Sequence, residues 1–285
     1  MSWEPPEQFE RDAKPPYGRR VYLPAYETLD PAGLPWAEMR KYPERFPGRH
    51  IAKVASARTV VGMDFTPPGE ESRRIYVKRS YLRSPFKRLV SRWQPSKEWR
   101  EFQLSLEFRA EGIAVPAPVF YAEATRGHLF PTRYLATEGL GERWLCARQY
   151  FASEVDFDER WELLALFTRR LHRSRLLHAD YRADHLFLNR EYKGGEGDVT
   201  EAWTLIDLDG SRTGSDPGPR EVRRVLLQLA ESLLPAGLGP EHLRRFLDRY
   251  DQEGRFGFDA ERLHHEAHER RRIKSLRPPG KKKKS

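Results

Sequence analysis

Apolar and polar positions first alternate over residues 51–65 (IAKVASARTVVGMDF) and again over 75–80 (IYVKRS), on either side of the polar turn TPPGEESRR. This pattern predicts two or three β-strands. Ser84-Pro85 then opens a helix, since Ser is a good N-cap and Pro fits the first helical position. Phe86, Leu89, Val90 and Trp93 share one face of it, and Lys87, Arg88 and Arg92 lie off that stripe. Gln94-Pro95-Ser96 ends this helix and caps the next, residues 97–111, which Gly112 closes. Residues 113–124 and 130–140 read as strands with Pro near their starts. From Asp158 the period changes: Trp161, Leu164, Phe167 and Leu171 recur every three or four residues, which predicts an amphipathic helix. Residues 186–189 and 203–208 are short apolar strands, joined through EYKGGEGD, whose glycines suit a hairpin turn. From Pro219 onward the pattern is helical. Residues 1–48, rich in Pro and charge, are weakly periodic and read as an irregular arm.

Strands followed by helices define an α+β chain, β-rich in its first half and α-rich in its second. No run of about 18 apolar residues is present, which excludes a helical integral membrane protein. The 7 Trp, 12 Tyr and 15 Phe can fill a sizeable core, which argues against wholesale disorder. The length of 285 residues allows one large domain or two modest lobes. Cys146 is the single cysteine, so an internal disulfide or a cysteine-built metal site is excluded. The opening residues, MSWEPPEQFERDAKPP, lack an apolar stretch, and the expectation is a chain without a secretory signal, in a reducing compartment.

Charge is arranged in patches. The net charge is +9, yet ten basic residues stand between Arg73 and Arg100 against Glu98 alone. Ten more stand between Arg262 and Ser285 against Glu266 and Glu269. The remainder is therefore net acidic. The terminal KKKKS reads as a solvated tail, and the basic stretch as a whole is equally suited to an anionic membrane face. Neither patch carries a nucleic-acid reading module, so no nucleic acid is expected.

The chemistry concentrates in LLHADYRADHLFLN (176–189) and TLIDLDGSR (204–212). A His-x-Asp loop sits between a long helix and an apolar strand, and a second Asp ends the next strand. A hairpin there brings both carboxylates to one mouth. Phosphoryl transfer needs this: one carboxylate for the attacking hydroxyl, another for Mg²⁺, and a cation reaching the phosphates. Lys78 ends an early strand where a kinase-type lysine would stand, and Glu101 in the following helix can pair with it. Each has a rival: Asp209 for Asp207, Asp184 for Asp180, Glu98 for Glu101. Asp207 directly follows the strand TLI, and Asp180 has the His two positions before it.

Together with SARTVV, EWREFQLSLEFRAEGIAVPAPV and YLATEGL, these segments resemble the Kdo/WaaP-type lipopolysaccharide kinases, a branch of the protein-kinase-like superfamily, over residues 51–234. That family places His where most kinases have the metal-binding Asn, and His185 stands five positions after Asp180. The resemblance implies a bilobal protein-kinase-like fold. It makes Asp180 the catalytic base, with Arg182 at the γ-phosphate and Asp207 as the principal Mg²⁺ ligand. His185 falls on the metal side, and His178 structurally starts the catalytic loop. Lys78 would bind the α/β-phosphates, oriented by Glu101. Glu138 to Leu140 would be the hinge against the adenine of ATP, through backbone groups. The implied division is an arm (1–48), an N-lobe (49–140), a C-lobe (141–262) with the catalytic loop at 178–185, and a basic tail (263–285).

The implied activity is ATP- and Mg²⁺-dependent phosphorylation of a heptose or Kdo hydroxyl on the lipopolysaccharide core glycolipid. It would take place in the cytoplasm, on the inner face of an anionic inner membrane. Two departures stand out. The early strands contain Gly62 but no G-x-G-x-x-G, and the stretch after Asp207 is short and has no A-P-E, which argues against a protein substrate. The alternatives are a kinase of another small molecule or protein, and a catalytically inactive module that binds nucleotide and membrane.

Overall fold

The computed structural model describes residues 7–13, 17–46, 48–55, 58–80, 95–124, 132–153, 157–193 and 199–276. The chain divides into two units, Met1–Glu107 with Pro116–Gly141 and Phe108–Val115 with Glu142–Ser285. The helix expected over 84–93, the turn glycines at 194, 195 and 197 and the tail from 277 lie outside the described residues.

The first unit is built on a seven-stranded antiparallel sheet of β1 (Glu10–Asp12), β2 (Tyr17–Tyr22), β3 (Arg49–Ala55), β4 (Arg58–Phe65), β5 (Arg73–Ser80), β6 (Pro118–Ala124) and β7 (Thr132–Glu138). Their spatial order is β1-β2-β6-β7-β5-β4-β3. Alternation along β5 sends Ile75 and Val77 to one face and Tyr76 and Lys78 to the other. The Ile75 face is covered by Tyr26, Leu29, Trp36 and Met39, the last two from α1 (Trp36–Lys41). The opposite face carries Tyr121 and Leu135, packed with Trp99 and Phe102 of α2 (Lys97–Ala110). Ser96 caps α2, its Oγ accepting from the Trp99 N–H at 2.9 Å.

Residues 1–48, read above as an irregular arm, thus carry two strands of the sheet, a helix and six of the sixteen described buried residues of one core. Their order is set by a distant partner: Val21 pairs with Tyr121 and Tyr22 with Phe120. A second difference concerns residues 113–117, read as the start of a strand. Pro116 and Pro118 remove two ladder donors, and β6 begins only at Pro118. Ile113 instead closes α2, its N–H donating to Phe108 O at 2.9 Å.

In the second unit, α4 (Phe157–Arg173) buries Trp161, Leu164, Phe167 and Leu171. Trp161 donates from Nε1 to His242 O and packs on Phe246 of α7 (Pro240–Tyr250), with ring centroids 5.0 Å apart. A short sheet runs in the order β10 (Trp203–Leu205), β9 (Leu186–Asn189), β8 (Trp144–Cys146). The remaining helices are α3 (Ala147–Ala152), α5 (Val199–Ala202), α6 (Pro219–Leu233) and α8 (Ala260–Ser275). Glu221 ties down the start of α6, its carboxylate accepting from the Gly218 N–H at 3.0 Å. Among the described residues no helix is long and apolar enough to cross a membrane.

Candidate active site

Within the first unit, Lys78 opposes Leu135 in the β5–β7 pairing, so it points to the side of the sheet that α2 covers. Glu101 is on that helix, one residue before the core residue Phe102. Lys78 Nζ donates to both Glu101 oxygens, at 2.6 and 2.5 Å. Both side chains are mostly buried, so the amine is held in a low-dielectric position by a two-oxygen clasp. Glu98, the rival of Glu101, is also buried, one turn nearer the start of the helix.

At the end of β7 the Glu138 N–H donates to Ala117 O at 2.8 Å and the Gly139 N–H to Arg74 O at 2.6 Å. These two N–H groups are therefore engaged inside the unit. The Glu138 carboxylate accepts from Tyr26 Oη at 2.8 Å and from Arg73 at 3.0 Å. Burial first, then that carboxylate, pushes the Tyr26 phenol up to about 12. Gly139 is closely packed, and an added Cβ would lie 3.0 Å from Arg74 O. Gly62 is an interior residue of β4, paired with His50 and with Tyr76.

Within the second unit the loop from Leu176 alternates between anchored and open residues. His178, Tyr181 and Ala183 are fully buried, whereas Asp180 and Arg182 between them are partly exposed. Tyr181 donates to Thr168 Oγ1 at 2.7 Å, the Thr hydroxyl itself donating to Leu164 O. The Ala183 N–H donates to Ser232 Oγ at 2.9 Å. His178 Nε2 donates to Ile206 O at 3.0 Å, and the Ile206 N–H donates to His185 O at 3.0 Å. Leu177 and Arg212 exchange both backbone bonds, and the Ala179 N–H donates to Ser211 Oγ at 3.1 Å. The Asp180 loop and the Ile206–Asp207 segment are thus stitched side by side.

Asp207 has φ +57°, a left-handed conformation that non-glycine residues seldom adopt. It is held there by the bonds on both sides of Ile206. Burial lowers the His178 pKa to about 4, neighbouring His185 adding to this while the Ile206 carbonyl, Asp207 and Asp180 oppose it. His178 is therefore a neutral strut between the two acidic segments.

Asp180 Oδ1 takes Arg182 Nε at 2.6 Å. His185 Nδ1 lies 2.9 Å from Asp180 O, and a carbonyl only accepts, so Nδ1 bears a proton and donates it there. Asp184 is engaged elsewhere, with Arg148 at 2.5 Å. Arg148, Ser211 and Ser232 all support this loop and were not singled out from the sequence. Each lies too far along the chain to leave a local signal.

Among the described residues no group of three or more His, Cys, Asp or Glu side chains forms a ready-made metal cage. Mg²⁺ commonly takes one or two protein carboxylates and completes its shell with phosphate oxygens and water, so the hard carboxylate of Asp207 fits it. The imidazole of His185 is a softer donor.

An anchored His-x-Asp loop fastened beside Asp207, which lies two residues past the end of β10 rather than at the end of a 203–208 strand as expected, and a clasped lysine in a separate β-rich unit, are the features of a phosphotransferase of the kinase-like class. The lipopolysaccharide kinase (Kdo/WaaP) family model matches residues 68–250, more than half of the chain. The chain belongs to this family. Among solved structures, WaaP in complex with acyl carrier protein is similar, with TM-score 0.57 and 20% identity over 90% of this chain and 98% of that one. The fold is therefore bilobal, kinase-like and α+β, in agreement with the expectation above. The Cydia pomonella granulovirus kinase PK-1 overlays with TM-score 0.35 and 14% identity, over 65% of this chain and 60% of that one, too low a score to bear on the fold. No curated protein matches the chain.

Proposed function

We propose that the protein transfers the γ-phosphoryl group of ATP to a sugar hydroxyl of the lipopolysaccharide inner core, on heptose or Kdo, at the cytoplasmic face of the inner membrane. The observation that carries this reading is the stitched pair of segments in the second unit. It holds Asp180 partly open to solvent between the fully buried His178 and Tyr181, next to a strained Asp207.

Asp180 accepts the proton of the attacking sugar hydroxyl as the new O–P bond forms and the bond to the leaving ADP breaks. Arg182, already in contact with Asp180, turns its guanidinium to the γ-phosphate as the acceptor hydroxyl takes its place. Lys78, clasped by Glu101, meets the α- and β-phosphates as a preset point charge. Leu140 supplies the hinge N–H for the adenine, because those of Glu138 and Gly139 are engaged. Asp207 would hold Mg²⁺, with His185 Nε2 on the same side. When bound, the ion neutralises phosphate oxygens.

The test is the purified protein with ATP, Mg²⁺ and truncated core glycolipid, read by mass spectrometry. Gain of one phosphate on the glycolipid supports the reading. Transfer to other acceptors alone, or an unchanged phosphate count on core glycolipid from a deletion strain, overturns the choice of acceptor.

A further inference from the structure

The C-terminal helix α8 changes character halfway along. Its first half belongs to the body of the second unit. Asp259 caps it, accepting from the Arg262 N–H at 2.7 Å, and Ala260, Leu263 and Ala267 are buried. From Arg270 to Leu276, by contrast, every residue is exposed. That stretch reads RRRIKSL. Ile273 is 48% and Leu276 70% exposed, and they are the large apolar side chains left exposed among the described residues. Three positions apart, they share one face of the helix end.

A single exposed leucine needs no explanation. Two on one face, at an otherwise polar tip, do. The charge around them shows what would cover them. Lys274 is paired with Glu231 at 2.5 Å and Arg272 with Glu269 at 2.8 Å, while Arg270 and Arg271 make no ion pair among the described residues. The sequence continues with Arg277 and the four lysines 281–284. An apolar pair inside a basic run is complementary to the boundary between anionic headgroups and acyl chains. An acidic protein would satisfy the charge but would need its own apolar pocket for the pair.

We infer that the end of α8 is a membrane-docking element. Ile273 and Leu276 enter the headgroup boundary of an anionic bilayer, and Arg270 and Arg271 engage lipid phosphates. The inference rests on the proposed function only in placing a lipid-borne acceptor nearby.

The experiment is co-sedimentation of the full-length protein with vesicles, either phosphatidylethanolamine with phosphatidylglycerol or phosphatidylcholine alone. Wild type is compared with Ile273→Ser/Leu276→Ser. Both positions are exposed, and an unchanged melting temperature verifies the fold. Wild type should pellet with the anionic vesicles and not with the neutral ones. The double variant should partition about tenfold more weakly. Equal partition of variant and wild type would overturn the inference, because charge alone would then explain binding. So would failure of wild type to bind anionic vesicles, including the case in which it self-associates through these residues in sedimentation velocity. Transfer to detergent-dispersed glycolipid is measured in parallel and should not change in the variant. Loss of transfer by wild type with vesicle binding intact would count against the proposed function and leave the docking element standing.

Discussion

Two ion pairs, one in each unit, have almost the same length and opposite surroundings. Lys78–Glu101 spans 2.5 Å with side chains 13% and 9% exposed. Arg182–Asp180 spans 2.6 Å with side chains 42% and 41% exposed. Removing one partner of a buried pair leaves an uncompensated charge, whereas an exposed pair exchanges its partner for water at little expense. The first pair is therefore a fixture of the β-rich unit. The second is an exposed contact, and under the proposed function Asp180 would release Arg182 to a phosphate and accept a hydroxyl in its place.

Glu101→Gln breaks this comparison most strongly. It should lower stability in urea unfolding by about 3–5 kcal/mol, because Lys78 would stay buried without its anion. The same variant should weaken the nucleotide-dependent rise in melting temperature. Next comes pH. Burial lowers His172 to about 3 and His178 to about 4, against an ordinary value of 6.5. Below pH 6.5 the unfolded chain binds more protons than the folded one, so stability is complete above 6.5 and declines as pH falls through 4 and 3. A plot of melting temperature against pH should show this, and His172→Gln should flatten it. A smaller effect is expected from Arg182→Ala, about 0–1 kcal/mol in stability, with activity reduced far more than stability. Arg148→Ala, which frees the exposed Asp184, should change stability by about 0–1 kcal/mol or less and leave transfer near the wild-type rate.

Much of the second unit was legible because its signals are local. The recurrence of Trp161, Leu164, Phe167 and Leu171 marks α4, which spans Phe157–Arg173. Pro219 and Pro240 open α6 and α7. The first 48 residues were not legible, because β2 gains its order from β6, about a hundred positions away, rather than from its own periodicity. Tyr17, Tyr22, Tyr26 and Trp36 were the available sign: that many large rings in a polar stretch need a core to enter. Spacing could single out Lys78, Glu101, Asp180 and Asp207 as positions, but it could not say which of them are buried. Tyr181 is fully buried through Thr168 while Asp180, beside it, is open, and that contrast depends on a helix turn distant in sequence. The engagement of the Glu138 and Gly139 N–H groups, on which the proposal of Leu140 as the adenine donor rests, is likewise a matter of tertiary hydrogen bonding.

The most direct test compares Asp180→Asn with Asp184→Asn in phosphate transfer to core glycolipid at saturating ATP and Mg²⁺, with melting temperatures recorded for both. If Asp180 is the base, its variant should lose about 10²–10⁴-fold in rate while staying folded, and Asp184→Asn should remain within several-fold of wild type. Full activity in Asp180→Asn, or an equal loss in both variants, would contradict that role.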